Sequence, residues 1–260
     1  MRKRSDFVYM APPFIAYFGT FERGDTKTWL LQYSYNQCRL YRKYLRDSAT
    51  KLWKHIQVGS SPDENLWATG NGWAAAGMFR ALQTIRNSDV SESFLDQQND
   101  LLGWIEEIVN ASWDHQVHIF CPINSLRLSI AETHLQTSAG ALHNVINDPD
   151  SFADSSSTAL IASVTFRLAV LKQDNSTYIQ NANAAYDFVR RNIDDDGWLR
   201  NTVNPLSPYA PSGPDETSPE GQSFVLLLEA ARRDFQAWVQ SEATLPSGGG
   251  MALIPQNPSK

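Results

Sequence analysis

The sequence predicts an all-α fold, a toroid assembled from helical hairpins, and three observations support this prediction. Apolar residues recur at steps of three and four along most of the chain, which is the spacing of one helix face. No segment shows the apolar–polar alternation that a half-buried strand requires. The long polar loops between the helices resemble one another, which indicates that a helical hairpin is repeated.

Seven helices are predicted from this periodicity. The first covers residues 7–18, where Asp6 can cap the helix and Pro12-Pro13 would shorten or bend it rather than prevent it. The other six helices cover residues 28–45, 73–85, 101–113, 158–171, 178–193 and 224–239.

The long loops give the length of the repeat. Residues 46–73 and 194–222 both run from an Asp-containing turn through a tryptophan to a glycine at the start of a helix. The helices at corresponding places in the repeat start at Asp6, Asn71, Ser157 and Gly221. These starts are 65, 86 and 64 residues apart, so two intervals agree and the middle one is too long.

The excess of the middle interval lies in residues 117–136, which fit neither the helix before them nor the loop after them. We interpret this segment as a surface insertion or as translated intron from a faulty gene model. The remaining repeat predicts one partial α/α-toroid domain over residues 1–260, with three complete hairpins and part of a fourth. Residues 244–260 are rich in Gly, Pro and Ser, and we expect them to form a flexible C-terminal tail.

Composition and charge exclude several classes of protein. The chain of 260 residues is 42% hydrophobic and 19% charged, enough for one sizeable core, and no apolar run is long enough for a membrane span. A net charge of -6 with scattered basic residues argues against a nucleic-acid-binding surface. Cys38 and Cys121 cannot form a disulfide framework and lack the spacing of a zinc site. The start of the sequence does not read as a signal peptide, and the compartment stays open.

Four motifs, taken in order, carry a family resemblance. They are DFVYMAPPFIAYFG at residues 6–19, LWKH at 52–55, WATGNGW at 67–73 and SPEGQ at 218–222. Together they resemble the unsaturated rhamnogalacturonyl hydrolases of glycoside hydrolase family 105, which are related to the unsaturated glucuronyl hydrolases of family 88. The resemblance covers residues 6–239 apart from 117–136.

This resemblance implies an (α/α)6 barrel of six hairpins, with the active site in the loops at one end of the ring. Six units of about 65 residues would need about 390 residues, whereas the sequence has 260. We therefore expect that roughly two N-terminal hairpins are missing, together with a second acidic residue that the family uses in its pocket.

The resemblance also implies the reaction. Members of the family hydrate the C4=C5 double bond of the unsaturated galacturonate that ends pectin-derived oligosaccharides, so the expected partner is an unsaturated uronate-containing oligosaccharide. One carboxyl group serves as general acid and base, unlike the paired carboxylates of ordinary glycosidases. Asp6 matches the position of this group, and helix capping is the alternative role for its side chain. No cofactor is expected.

Further residues match the substrate contacts of the family. They are His55, Trp67, Asn71 and Trp73. The two tryptophans flank a Gly-Asn-Gly turn and could stack on a sugar ring, while the histidine and the amide could bind hydroxyl groups or the uronate. The alternative interpretations are that the tryptophans are core residues, that Asn71 caps a helix, and that His55 is an exposed loop residue with no function.

Two other positions bear on the site. Many bacterial members have an arginine, suited to gripping the uronate carboxylate, where this sequence has Thr69. Ser218, Glu220 and Gln222 open the last predicted helix, for which capping is the favoured interpretation.

Two further functional hypotheses are kept. The chain could be an inactive, truncated toroid or a carbohydrate-binding remnant without catalysis, because missing hairpins would leave apolar faces exposed and open to self-association. It could also be a helical-barrel glycosidase acting on intact linkages, but that reaction needs two carboxylates and only Asp6 is nominated.

Overall fold

The computed structural model describes residues 3–117 and 138–244, which form seven α-helices, a 3-10 turn at Ser91–Phe94 and six short strands. The helices are α1 (Phe7–Phe21), α2 (Gly24–Leu45), α3 (Ala68–Arg86), α4 (Leu95–Trp113), α5 (Ser155–Lys172), α6 (Ile179–Arg191) and α7 (Pro219–Thr244). The strands are β1 (Lys3–Arg4), β2 (Ile56–Gln57), β3 (Leu142–His143), β4 (Ala153–Asp154), β5 (Val203–Asn204) and β6 (Ser207–Pro211). The suspected insertion at 117–136 and the expected tail at 244–260 lie outside the described residues, except for Val117 and Thr244.

The all-α prediction is confirmed, and each of the seven predicted helices is present. Pro12 and Pro13 both lie inside α1, which continues past them to Phe21. The six strands are two to five residues long and pair in three antiparallel two-stranded ribbons within the long loops. Such short ribbons produce no periodic pattern, which is why the sequence did not reveal them.

The helices form two layers, as in an α/α toroid. In the inner layer α1 packs beside α3, α3 beside α5, and α5 beside α7. In the outer layer α2, α4 and α6 pack against the backs of α1, α3 and α5, which completes three hairpins. The two helices that have inner neighbours on both sides, α3 and α5, are therefore buried along most of their length.

The connections place all the long loops at one end of the inner helices. Short links join each inner helix to its outer partner, whereas each return to the next inner helix uses a long loop. The inner helices therefore run in the same direction, with their N-termini at the long-loop end. Backbone hydrogen bonds hold the loops there: Ala68 N–H donates to Asn144 O (2.8 Å) and Ser155 N–H to Asn201 O (2.9 Å).

Two glycines allow the inner helices to approach closely. A Cβ atom at Gly77 in α3 would lie 2.3 Å from the carbonyl oxygen of Val8 in α1. A Cβ atom at Gly72 would lie 2.8 Å from Cδ2 of Leu160 in α5. Both positions exclude a larger side chain because neighbouring helices occupy the space.

Aromatic side chains of α1 and α2 remain exposed along one face. Phe14 is 67% exposed, Phe21 68% and Trp29 60%. We call the surface made by Phe14, Phe18, Phe21 and Trp29 the aromatic edge. None of the helices in the described ranges combines the length and apolar character needed to cross a membrane.

Candidate active site

Asp6 lies at the long-loop end, directly before α1. Strand β1 pairs with β2, and Ser5 N–H donates a hydrogen bond to His55 O (3.0 Å), which joins the start of α1 to the following loop. The Asp6 carboxylate makes no capping hydrogen bond to α1. Arg4 holds it instead: Nε donates a hydrogen bond to Oδ1 at 3.2 Å, Nη2 forms an ion pair with Oδ2 at 3.0 Å, and the Asp6 side chain is 22% exposed. The carboxylate is therefore not used as a helix cap and keeps contact with solvent.

His55 belongs to a hydrogen-bonded triad with Asp63 and Tyr209. Its Nδ1 lies 2.9 Å from Asp63 Oδ2 and 3.0 Å from the Tyr209 hydroxyl, which itself donates to Asp63 Oδ2. Burial opposes ionisation of Asp63, but the hydrogen bonds from Tyr209 and His55 outweigh it and lower the pKa of this carboxyl. An ionised Asp63 can only accept, so the proton of the imidazole is on Nδ1.

Within this triad the histidine is shielded from solvent. His55 is 3% exposed, and its ring centroid lies 4.6 Å from that of Trp67. Burial lowers the pKa of His55 more than the hydrogen bond from Nδ1 to Asp63 raises it, which favours the neutral ring. Nε2 is then an acceptor, and it has no hydrogen-bond partner among the residues described. The substrate contact assigned to His55 stays a prediction, and in this conformation the ring lies behind the surface.

Asn71 has a structural role in this arrangement. Its Oδ1 accepts from Trp53 N–H at 2.7 Å, and its Nδ2 donates to Trp53 O at 2.9 Å and to Trp67 O at 3.0 Å. The side chain is fully buried and joins the start of α3 to the preceding loop. The sugar contact predicted for Asn71 therefore remains untested, and all of its polar atoms already have protein partners.

The predicted Gly-Asn-Gly turn is wrong. Residues 70–72 form the first turns of α3, which begins at Ala68 with Trp67 at its N-cap position. Their glycines are needed for packing, since a Cβ at Gly70 would lie 2.3 Å from Ser5 Oγ. The sequence cannot separate the two cases because a turn and a close helix contact both favour glycine.

The two predicted tryptophans are mostly buried. Trp67 donates from Nε1 to Asn144 Oδ1 at 3.2 Å. Trp73 lies between Tyr9 of α1 and Phe224 of α7, with ring centroids 4.4 and 4.7 Å away. Trp73 thus joins three inner helices one turn below Asp6, and stacking of either ring on a sugar stays a prediction.

Thr69 and Asp154 form a buried polar contact between α3 and α5. Thr69 Oγ1 donates to Asp154 Oδ2 at 3.3 Å. Asp154 caps α5 by accepting from Ser156 N–H at 3.1 Å and Ser157 N–H at 3.0 Å, and it also accepts from Val203 N–H at 3.0 Å. Asp154 was not predicted as a cap, although an Asp followed by serines and an apolar run is a recognisable cap signal.

Glu220 is a second carboxyl group near Asp6. Its pKa is raised first by burial and then by the negative charges of Asp6 and Asp154. Ser218 supplies the cap of α7, because its Oγ accepts from Gly221 N–H at 3.0 Å. The capping interpretation is therefore confirmed for Ser218, while the electrostatic proximity of Glu220 to Asp6 was not predicted.

A groove of about 530 Å³ follows the inner helices away from Asp6. It begins at Tyr9, one turn after Asp6, and is lined by Phe79, Arg80 and Arg167 among others. The guanidinium of Arg80 lies 4.8 Å from the Tyr9 ring centroid. The site is thus a set of loop residues above an open, partly cationic groove.

The chain is similar to glycoside hydrolases in part of its sequence. Residues 5–115, which include Asp6 and the four predicted substrate contacts, match the family model of Glycosyl Hydrolase Family 88. No curated protein sequence matches the chain significantly.

Solved structures share the fold of this chain. A possible GH105 family member from Salmonella enterica subsp. enterica serovar Paratyphi A has a TM-score of 0.69 and 19% identity, covering 90% of this chain and 57% of its own. The unsaturated glucuronyl hydrolase from Bacillus sp. GL1, responsible for the degradation of glycosaminoglycan, has a TM-score of 0.59 and 15% identity. The match covers 89% of this chain and 58% of the hydrolase. A D-mannose isomerase has a TM-score of 0.56 and 11% identity, and the match covers 94% of this chain and 58% of the isomerase.

These comparisons confirm the toroid fold and the resemblance to families 88 and 105. The chain spans 57% of the length of the Salmonella protein. A fold that is also found in an isomerase does not decide the chemistry, so the reaction has to be argued from the site.

Proposed function

We propose that this chain supplies the general acid/base of an unsaturated uronyl hydrolase. Such an enzyme is a glycoside hydrolase that removes a terminal 4,5-unsaturated uronate by hydrating its double bond. The proposal rests on the position and exposure of the Asp6 carboxylate. Its carboxylate makes no capping bond, is partly exposed, and stands at the N-terminus of an inner helix within the family 88 match.

The reaction needs one group that both gives and takes a proton. Asp6, when protonated, donates its proton to C4 of the double bond, and a water molecule adds its oxygen to C5. The water then returns a proton to Asp6, so the carboxyl group is restored and one water has been consumed. The product is a hemiketal at C5, which opens to a ketone, and the hemiacetal left at C1 releases the rest of the oligosaccharide.

The surroundings of Asp6 suit an anionic sugar. The inner helices α1, α3, α5 and α7 all begin at this end, and the partial positive charge of a helix N-terminus favours an anion. The triad of His55, Asp63 and Tyr209 fixes the loop beside Asp6 through hydrogen bonds between two separate loops. The long-loop end of the inner helices is charged and open to solvent, and aromatic side chains lie below it. This combination matches the mixed polar and apolar faces of a sugar.

The finer substrate is also part of the proposal. We propose that the sugar removed is the unsaturated galacturonate of pectin-derived rhamnogalacturonan oligosaccharides, with no cofactor. The four ordered motifs, which resemble family 105, support this choice over other uronides.

The non-catalytic alternative is favoured by one observation. The aromatic edge exposes Phe14, Phe21 and Trp29, as expected if this part of a toroid needs further apolar partners. In that case the chain would bind carbohydrate or another surface without turning over substrate.

The deciding experiment follows the ultraviolet absorbance of the double bond when the folded chain meets unsaturated rhamnogalacturonan disaccharide. We expect the absorbance to decay, and we expect Asp6→Asn to lower the rate about 10²- to 10⁴-fold, the range for general acid–base groups. Asp25→Asn, an exposed carboxylate in the first turn of α2, is the matched control and should retain the rate.

Two results would contradict the proposal. A chain that is folded by circular dichroism yet leaves the absorbance constant is not this hydrolase, which favours the binding alternative. Full turnover by Asp6→Asn would remove Asp6 from the mechanism.

A further inference from the structure

We propose that Arg4 binds the carboxylate of the unsaturated uronate and holds it beside Asp6. This inference rests on the proposed function and names the residue that selects a charged sugar. Nothing in the resemblance assigned a role to Arg4, because it precedes the first matching motif.

The Arg4–Asp6 pair leaves part of the guanidinium free. Arg4 uses Nε and Nη2, one edge of its guanidinium, to bind the two oxygens of Asp6 at 3.2 and 3.0 Å. A guanidinium has five N–H donors arranged over more than one edge. Nη1 makes no hydrogen bond to any residue described, and the Arg4 side chain is 46% exposed. A second carboxylate can therefore bind the free edge without displacing Asp6.

The backbone holds Arg4 in this place. Arg4 is paired with Ile56 in the β1–β2 ribbon, next to His55, so it is anchored to the loop that carries the triad. Its neighbour Lys3 lies over the ring of Tyr41, with Nζ 4.7 Å from the centroid. Of the two basic residues in β1, only Arg4 contacts Asp6.

The charges around Asp6 require a cation. Burial raises the pKa of Glu220, and the charge of nearby Asp6 raises it further, while hydrogen bonds from Tyr209 and His55 lower the pKa of Asp63 and keep it ionised. A uronate approaching these carboxyl groups would be repelled unless a positive charge stood between them. Burial dominates the pKa shifts of His55 and Tyr209, and Arg4 is close enough to contribute to both.

Position 69 cannot provide this charge. Thr69 is neutral and fully buried, and its hydroxyl is bound to Asp154. Arg80 and Arg167 line the groove beyond Asp6, and Arg80 stacks on the Tyr9 ring there. Arg4 is thus the guanidinium in contact with the proposed acid.

The carboxylate of the substrate lies next to the bond that reacts. In a 4,5-unsaturated uronate the carboxylate is attached to C5, one of the two carbons of the double bond. A guanidinium that binds Asp6 on one edge and the substrate carboxylate on the other brings C4 and C5 next to the acid. Arg4 would therefore set both the selection and the orientation of the substrate.

The test compares a free uronide with its methyl ester in the absorbance assay. We expect Arg4→Gln to raise KM for the free acid about 10- to 100-fold, the range for a lost hydrogen bond to a charged group, with a smaller change in kcat. The methyl ester should be affected less than about twofold, so the preference for the acid disappears. Lys3→Gln, in the same strand, is the matched control and should keep the preference.

Three results would overturn the assignment. An equal loss for acid and ester in Arg4→Gln would mean that the residue acts on Asp6 or on folding. A shifted pH–rate profile with the preference intact would mean that Arg4 only adjusts the protonation of Asp6. Loss of the preference in Arg80→Gln, but not in Arg4→Gln, would move the carboxylate site into the groove.

A binding measurement separates this inference from the proposed reaction. Calorimetric titration with galacturonate and with galactose needs no turnover. Tighter binding of galacturonate that is lost in Arg4→Gln and kept in Lys3→Gln would support Arg4 even if the wild-type chain left the double bond intact. Equal binding of the two sugars by the wild-type chain would overturn the inference.

Discussion

At the scale of single residues, the triad of His55, Asp63 and Tyr209 makes the fold sensitive to pH. Burial is the largest cause of the lowered pKa of His55, and the unperturbed value is 6.5. The unfolded chain therefore binds a proton more readily than the folded chain in the range just below pH 6.5. Stability is complete above this pH and is lost as the pH falls through the folded pKa.

We expect the urea midpoint of unfolding to stay constant from pH 8 to 7 and to decrease as the pH falls below about 6.5. In His55→Gln this decrease should be smaller, because the group that takes up the proton on unfolding is gone. His115→Gln, at an exposed position, should retain the wild-type decrease. A midpoint with the same pH dependence in wild type and His55→Gln would show that other groups control it.

The residues of the site differ in how far the sequence could predict them. Asp6, His55 and the two tryptophans stand in short motifs, so local sequence was enough to nominate them. Tyr209 contacts His55 across 154 positions, and Thr69 contacts Asp154 across 85. Such partners become neighbours only when the loops fold over the helix ends. The burial of Asn71 was not predictable for the same reason, since Trp53, which binds it, comes from the preceding loop.

At the scale of elements, two helical glycines show the difference between intrinsic helix propensity and packing against a neighbouring helix. Gly77 and Gly103 both lie inside helices, where alanine is favoured by about 1 kcal/mol. A Cβ at Gly103 would contact nothing within 4 Å, whereas one at Gly77 would lie 2.3 Å from the Val8 carbonyl oxygen. The two positions therefore respond to the same substitution in opposite directions.

We expect Gly103→Ala to stabilise the protein by about 0.5 to 1 kcal/mol. Gly77→Ala should destabilise it by about 1 to 3 kcal/mol, because α1 would have to move away from α3. Urea unfolding of both variants measures the difference. If both substitutions stabilise, α1 and α3 do not make the close contact seen here.

The helices were predicted well because their periodicity is local, but five of the seven starts were placed three to six residues too late. α3 begins at Ala68 because Asn71, Thr69 and the glycines of its first turns pack among the loops and α5. The apolar pattern begins only at Trp73, so the sequence indicated a start five residues too late. Tertiary contacts, and not helix propensity, determine this boundary.

At the scale of the whole molecule, the repeat explains both the fold and the location of the site. Each hairpin repeats an inner helix followed by an outer one, so every inner helix runs in the same direction, and Asp6, His55 and the first turn of α7 with Glu220 lie at the same end. The aromatic edge lies in the second half of α1 and the start of α2, away from these loops. A cluster of exposed aromatic side chains favours association with another apolar surface.

We expect the chain to self-associate with increasing concentration through the aromatic edge, since Phe14, Phe21 and Trp29 are each at least 60% exposed. Phe14→Lys combined with Phe21→Lys should shift sedimentation toward the monomer by charge repulsion and loss of apolar contact. The double variant should keep the turnover of the unsaturated disaccharide, because both residues lie in the second half of α1, away from Asp6. Leu206→Lys, at an isolated position that is 96% exposed, is the control and should leave association unchanged. A wild-type chain that sediments as a monomer at every concentration would contradict the prediction and would show that the aromatic edge does not bind a second copy.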